Sequence, residues 1–167
     1  MKDVDVGPYR GLEPDGDWPF FDSDCSISED ERAQIWPLSE AGSCAFWEAH
    51  VSAEPLERHP MLLPANHWLA PTIEGPNWLT QNRETPIRPD SSKVGAFLSN
   101  GFRTSQSERV YFVLMREHIY SAPMDLFVRY WPDFLLLGDE NAFLYCPDSK
   151  VFARFGPNGQ LSLGHVE

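Results

Sequence analysis

The chain has 167 residues, 42% of them hydrophobic and 13% aromatic, and a formal net charge of −12. That size and apolar content suit a single domain with a sizeable core spanning residues 1–167, and exclude global disorder. With 13 Lys and Arg against 25 Asp and Glu, the charge balance argues against nucleic acid and anionic membranes as partners; it would steer in a basic protein, or it serves solubility alone.

Residues 1–17, rich in Asp, Gly and Pro, read as an irregular acidic arm. Residues 1–31 hold ten acidic groups against Lys2 and Arg10, so the N-terminal segment is the main negative feature. "WPFF", Trp18 to Phe21, is a short apolar anchor.

The first helix signal is "SISEDERAQIW". Ser28 caps, Glu31 completes a capping box, and an acidic first turn suits the positive end of the helix dipole. Ile35 and Trp36 supply its apolar side and Pro37 ends it. Ser39 starts a second helix running to His50 or Val51, with Ala41, Cys44, Ala45 and Val51 near one stripe and Trp47 beside it.

Residues 54–90 carry seven prolines, which exclude long helices and central strands. Trp68, Trp78, Leu62 and Leu63 lie in the same stretch, so it is expected to be an ordered, packed loop. "SSKVGAFLSNGF" predicts a short helix capped by Ser91 or Ser92, facing Val94, Phe97 and Leu98 inward and stopped by Gly101. Arg109 to Met115 is a β-branched and aromatic strand, and "EHIYSA" is its return. "PMDLFVRYWP" is a helix with Pro123 at its start and Pro132 beyond its end.

The last third reads as strands "FLLLG", "AFLYC", "VFARFG" and "LSLG", joined by turns "GDEN", "PDSK" and "GPNG". Val151, Ala153 and Phe155 share one face, with Phe152 and Arg154 on the other. The fold class is therefore α+β: N-terminal helices plus a C-terminal antiparallel β-meander sheet interrupted by one helix.

Chemical motifs are sparse. Neither a G-x-G-x-x-G nor a Walker loop occurs, and there is no G-x-S-x-G, H-E-x-x-H or EF-hand pattern. Cys25, Cys44 and Cys146 form no C-x-x-C pair and read as small apolar residues. His59 and His67 flank part of the proline-rich loop, but zinc needs a further ligand. Asp139 and Glu140 are sequence neighbours whose side chains point apart in extended chain, so they read as a turn rather than an acid–base pair. No catalytic residue, metal site or cofactor is assigned. No apolar leader and no run of membrane-spanning length is present, so the expected location is the cytoplasm.

"SEDERAQIWPLSEAGSCAFW", "VYFVLM", "LFVRYWPDFLLLGDENAFLY" and "GPNGQLSLG" resemble a small uncharacterised gammaproteobacterial family, the domain of unknown function DUF2947. That resemblance implies no reaction, cofactor or site. The helix-plus-meander layout also resembles α+β bacterial toxin-immunity domains.

The functional expectation is a non-catalytic acidic binding protein, an immunity protein that neutralises a contact-delivered toxin by direct binding. Aromatic side chains would supply hot spots, and carboxylates would attract a basic toxin domain. The interface is placed on Asp15, Asp17, Asp22 and Asp24, on Trp68 and Trp78, and on Asp139 and Glu140. The alternative is a housekeeping or regulatory interaction domain. An enzyme would require convergence of two or three of His59, His67, Asp133 and Glu140. The oligomeric state is not set by these features.

Overall fold

The computed structural model describes residues 19–21, 25–69, 73–77, 91–102, 108–138, 141–156 and 159–166. Helix α1 (Glu29–Arg32) carries the expected capping box: the Glu31 N–H donates to Ser28 Oγ at 3.2 Å, and the Ser28 N–H donates to Glu31 Oε2 at 3.0 Å. It is one turn long, shorter than the sequence predicts. Ile35 and Trp36 are not helical; Trp36–Pro37 form the edge strand β1 instead. Two forces win there. Proline disfavours helical backbone in the residue before it, and an edge strand tolerates its missing donor. The Arg109 guanidinium also lies 3.5 Å from the centre of the Trp36 ring and donates to the Gln34 carbonyl at 2.8 Å.

Helix α2 (Glu40–His50) starts where expected, with Ser39 Oγ accepting from the Gly42 N–H at 3.1 Å. Its buried face is Gly42, Ser43, Phe46 and Trp47, while Ala41 is exposed and Cys44 and Ala45 are half-buried. The predicted stripe was turned because burying Phe46 and Trp47 removes far more apolar surface from water than burying alanines does.

Residues 52–69 are successive turns with one 3-10 turn at Pro60–Leu62. Leu69 is buried, and Leu63 and Trp68 are half-buried against the core, whereas Leu62, expected to pack with them, is exposed. Strand β2 (Ile73–Asn77) follows at the sheet's edge, with a register shift between Glu74 and Asn77. Proline is admitted there because an edge strand has one unpaired side.

Helix α3 (Ser91–Phe102) already contains both serines expected to cap it, and it passes through Gly101. Gly101 is a close-approach glycine rather than a stop: a Cβ there would meet Leu163 Cδ1 at 2.2 Å. Strands β3 (Arg109–Met115) and β4 (His118–Pro123) form the predicted pair.

Helix α4 (Met124–Leu135) overturns two expectations. Pro132 lies inside it, not beyond it, and "FLLLG" is not a strand. The helix breaks at Tyr130 (φ −116°, ψ 19°), so Pro132 sits in the first turn of the second segment, where a missing N–H costs little. Phe134 and Leu135 finish the helix, and the N–H groups of Leu136 and Leu137 bond back to Asp133 and Phe134 at 3.2 and 3.0 Å. The connection at Gly138 therefore joins a helix to a strand and is no hairpin; Asp139 and Glu140 lie outside the described residues. Gly138 is again a close approach: a Cβ would meet Leu114 Cδ2 at 2.3 Å, and the end of that side chain would have to shift.

Strands β5 (Phe143–Cys146), β6 (Val151–Phe155) and β7 (Gln160–His165) form the predicted meander. Lys150 (φ 55°) and Gly159 (φ 77°) take the left-handed backbone at the two turns. The seven strands order as β1-β4-β3-β5-β6-β7-β2, all antiparallel, and α4 supplies the link from β4 to β5.

Both faces of the sheet are covered. Phe112, Leu144, Ala153 and Phe155 pack under α3 and α4, where Leu98, Phe127, Trp131 and Phe134 are fully buried. Tyr111, Val113, Phe143, Tyr145 and Phe152 pack under α2 and the proline-rich loop. Two covered faces explain the near-continuous apolar strands, where a one-sided sheet would alternate. Among the described residues, no helix is long and apolar enough to cross a membrane.

Candidate binding site

The loop from Val51 to Leu69 builds the most site-like surface of the described residues. It is anchored at several points. The Arg116 N–H donates to the Arg58 carbonyl at 2.8 Å, Arg58 pairs with Glu117 of the β3–β4 turn, and Arg116 pairs with Glu48 of α2. His59 caps the 3-10 turn, its Nδ1 accepting from the Met61 N–H at 3.2 Å. His67 Nδ1 accepts from the Leu69 N–H at 3.3 Å while Nε2 lies 3.0 Å from the Val51 carbonyl, which fixes the Nε2–H tautomer. Both histidines are thus used to shape the loop.

On this anchored loop three large apolar side chains face solvent: Leu56 is 87% exposed, Met61 66% and Leu62 59%. Glu54 and Glu57 border Leu56 in sequence. Three large apolar side chains exposed on one anchored segment mark a candidate contact surface, whereas single exposed leucines are ordinary.

Met61 also lines a cavity of about 300 Å³, with Leu63, Leu69 and Phe143 among others, and Asn141, His67 and Arg154 supply polar groups. Burial holds the pKa of the neighbouring Tyr145 above the usual phenol range, and likewise that of the Tyr111 hydroxyl. Burial also pushes the Cys146 thiol up, which suits an inert core residue rather than a nucleophile.

Of the residues expected to bind a partner, Trp68 alone is described. It is half-buried: its ring meets Phe143 and Phe152 edge-on at 6.1 and 5.1 Å and tilts against Tyr145 at 5.4 Å. Much of its surface therefore belongs to the core. Asp15, Asp17, Asp22, Asp24, Trp78, Asp139 and Glu140 lie outside the described residues. The convergence an enzyme would need is not seen among the described members. His67 lines the cavity on one face of the sheet, and Asp133 belongs to α4 on the other. No group of three metal-ligating side chains occurs among the described residues.

Sequence reasoning missed Leu56, Met61 and Arg154. Arg154 had a signal, being a lone cation inside the apolar strand "VFARF". The leucine and methionine had none, because apolar residues in a proline-rich stretch read as packed.

Residues 13–164 match the model of a family described as protein of unknown function (DUF2947). No curated protein and no solved structure matches the chain.

Proposed function

We propose that this chain, which belongs to the DUF2947 family, is a non-catalytic binding protein that captures a basic protein partner through the Val51–Leu69 loop. The observation that carries this reading is the exposure of Leu56, Met61 and Leu62 on an anchored segment. Surface apolar residues on a pre-ordered loop bind without a large ordering cost. The net charge of −12 would steer a basic partner and discriminate against acidic ones.

The specific form proposed is an immunity protein acting in the cytoplasm, which neutralises a contact-delivered toxin by occupying its basic surface. Acidic character and an apolar contact cluster support it. The test is protection. Candidate toxin genes beside the chain's own gene are expressed with and without the chain in the same host. Rescue of growth by the chain, lost when Leu56 and Leu62 are both changed to Ser, is the expected result. No protection, together with no effector gene in the neighbourhood, favours a housekeeping interaction domain instead.

A further inference from the structure

The cavity is a site of a different kind from the exposed apolar side chains of the loop, with Met61 alone belonging to both. Asn141 lines it, is only 7% exposed, and makes no side-chain hydrogen bond to another described residue. Arg154 lines it too, is half-buried, and has no ion pair or hydrogen bond to another described residue. Its cross-strand partners are Phe143 on β5 and Ser162 on β7, so neither neighbour in the sheet supplies a negative charge. Apart from His67 the remaining wall is apolar, with Met61, Leu63, Leu69 and Phe143 among its residues.

A cation taken partly out of water with no counter-charge among its described neighbours is costly, and an amide lining the cavity with no described partner adds to that cost. Both costs are recovered if an anion occupies the cavity. The fork of a guanidinium matches the two oxygens of a carboxylate, and a side-chain amide adds one further donor. Phosphate sites draw instead on several free backbone N–H groups, and the 3-10 turn in this wall offers none: Pro60 has no N–H, and those of Met61 and Leu62 donate to His59. The cavity volume of about 300 Å³ falls at the small end of the range for small-molecule pockets, roughly 300 to 1,000 Å³.

We propose that this cavity binds a small organic carboxylate with an apolar body. The carboxylate sits on Arg154 and Asn141, and the body lies against Met61, Leu63, Leu69 and Phe143. The His67 ring, whose two nitrogens are held by the Val51 carbonyl and the Leu69 N–H, forms wall and contributes no free donor. This site does not rest on the protein partner proposed above, although Met61 borders both.

The test uses octanoate and its neutral counterpart octanol as probes on the full chain, followed by two-dimensional amide NMR. Octanoate is expected to move the Asn141 side-chain amide saturably, with octanol bound about tenfold or more weakly. Arg154→Met is expected to weaken octanoate by a similar factor and to leave octanol unchanged. Equal affinities for the two probes in the wild-type chain overturn the proposal, and that comparison stands even if Arg154→Met does not fold. An Asn141 amide unmoved by octanoate at concentrations of about a few millimolar overturns it as well.

Discussion

The Tyr130 hydroxyl donates to Glu31 Oε2 at 3.1 Å across 99 residues of sequence. The same carboxylate accepts from the Ser28 N–H and pairs with Arg129, so one side chain closes the capping box of α1 and ties it to the kink of α4. Hydrogen bonds from the Ser28 backbone and side chain, then Tyr130 and Arg129, hold the Glu31 carboxyl below its ordinary value of 4.5. A lowered carboxylate pKa stabilises the fold above the unfolded value, and this contribution is lost as pH falls through the folded value. Thermal midpoints should therefore drop in acid below pH 4.5, more steeply for the wild type than for Glu31→Gln. Melting curves across the acid range check this; identical slopes would remove Glu31 from the account.

Phe134 and Leu136 separate the helical reading of "FLLLG" from the strand reading. In a strand, residues two apart share a face, so both would be buried or both exposed. Here Phe134 is fully buried while Leu136 is 72% exposed. Phe134→Ala should cost about 3–5 kcal/mol and Leu136→Ala no more than about 0.5 kcal/mol in denaturant unfolding. Similar losses at the two positions would restore the strand.

Arg109 fixes the edge of the sheet. Its guanidinium stacks on Trp36, and it donates to Ser121 Oγ and to the carbonyls of Ser121 and Gln34 at 2.9, 2.9 and 2.8 Å. A lysine keeps the charge but loses the planar fork and the stacking. Arg109→Lys should destabilise the chain by about 1–3 kcal/mol and speed amide exchange in Trp36 and Leu38 before the central strands. The Leu38 N–H, which donates to the Ile119 carbonyl at 2.9 Å, is the direct reporter.

Local signals were read correctly at several elements that a short-range rule governs. The Ser28–Glu31 box, the Ser39 cap and the β-branched run Arg109–Met115 each declare their element within a few residues. The readings failed where a distant partner decides. Trp36 left its helix because Arg109, far along the chain, stacks on it. Pro132 looked like a stop because the Tyr130 break that accommodates it has no local signature. Gly101 and Gly138 looked like punctuation, but their reasons are Leu163 and Leu114 pressing against them. The site followed the same logic: Arg154 was visible as a lone cation in a strand, yet its neutral cross-strand partners, Phe143 and Ser162, are set by register. Exposure of Leu56 and Leu62 depends on a loop path set by pairs such as Arg58–Glu117.

The central claim is that this loop binds a basic protein, and comparative affinity capture tests it most directly. The wild-type chain and the variant carrying Leu56→Ser and Leu62→Ser are used as baits in lysate of the native host, at low and high salt. Both side chains are exposed, so the variant should keep its stability within about 1 kcal/mol. The account predicts one basic protein held in stoichiometric amount by the wild type, lost from the variant, and captured more slowly as salt rises. Equal recovery on both baits, or a partner that is acidic, would contradict it.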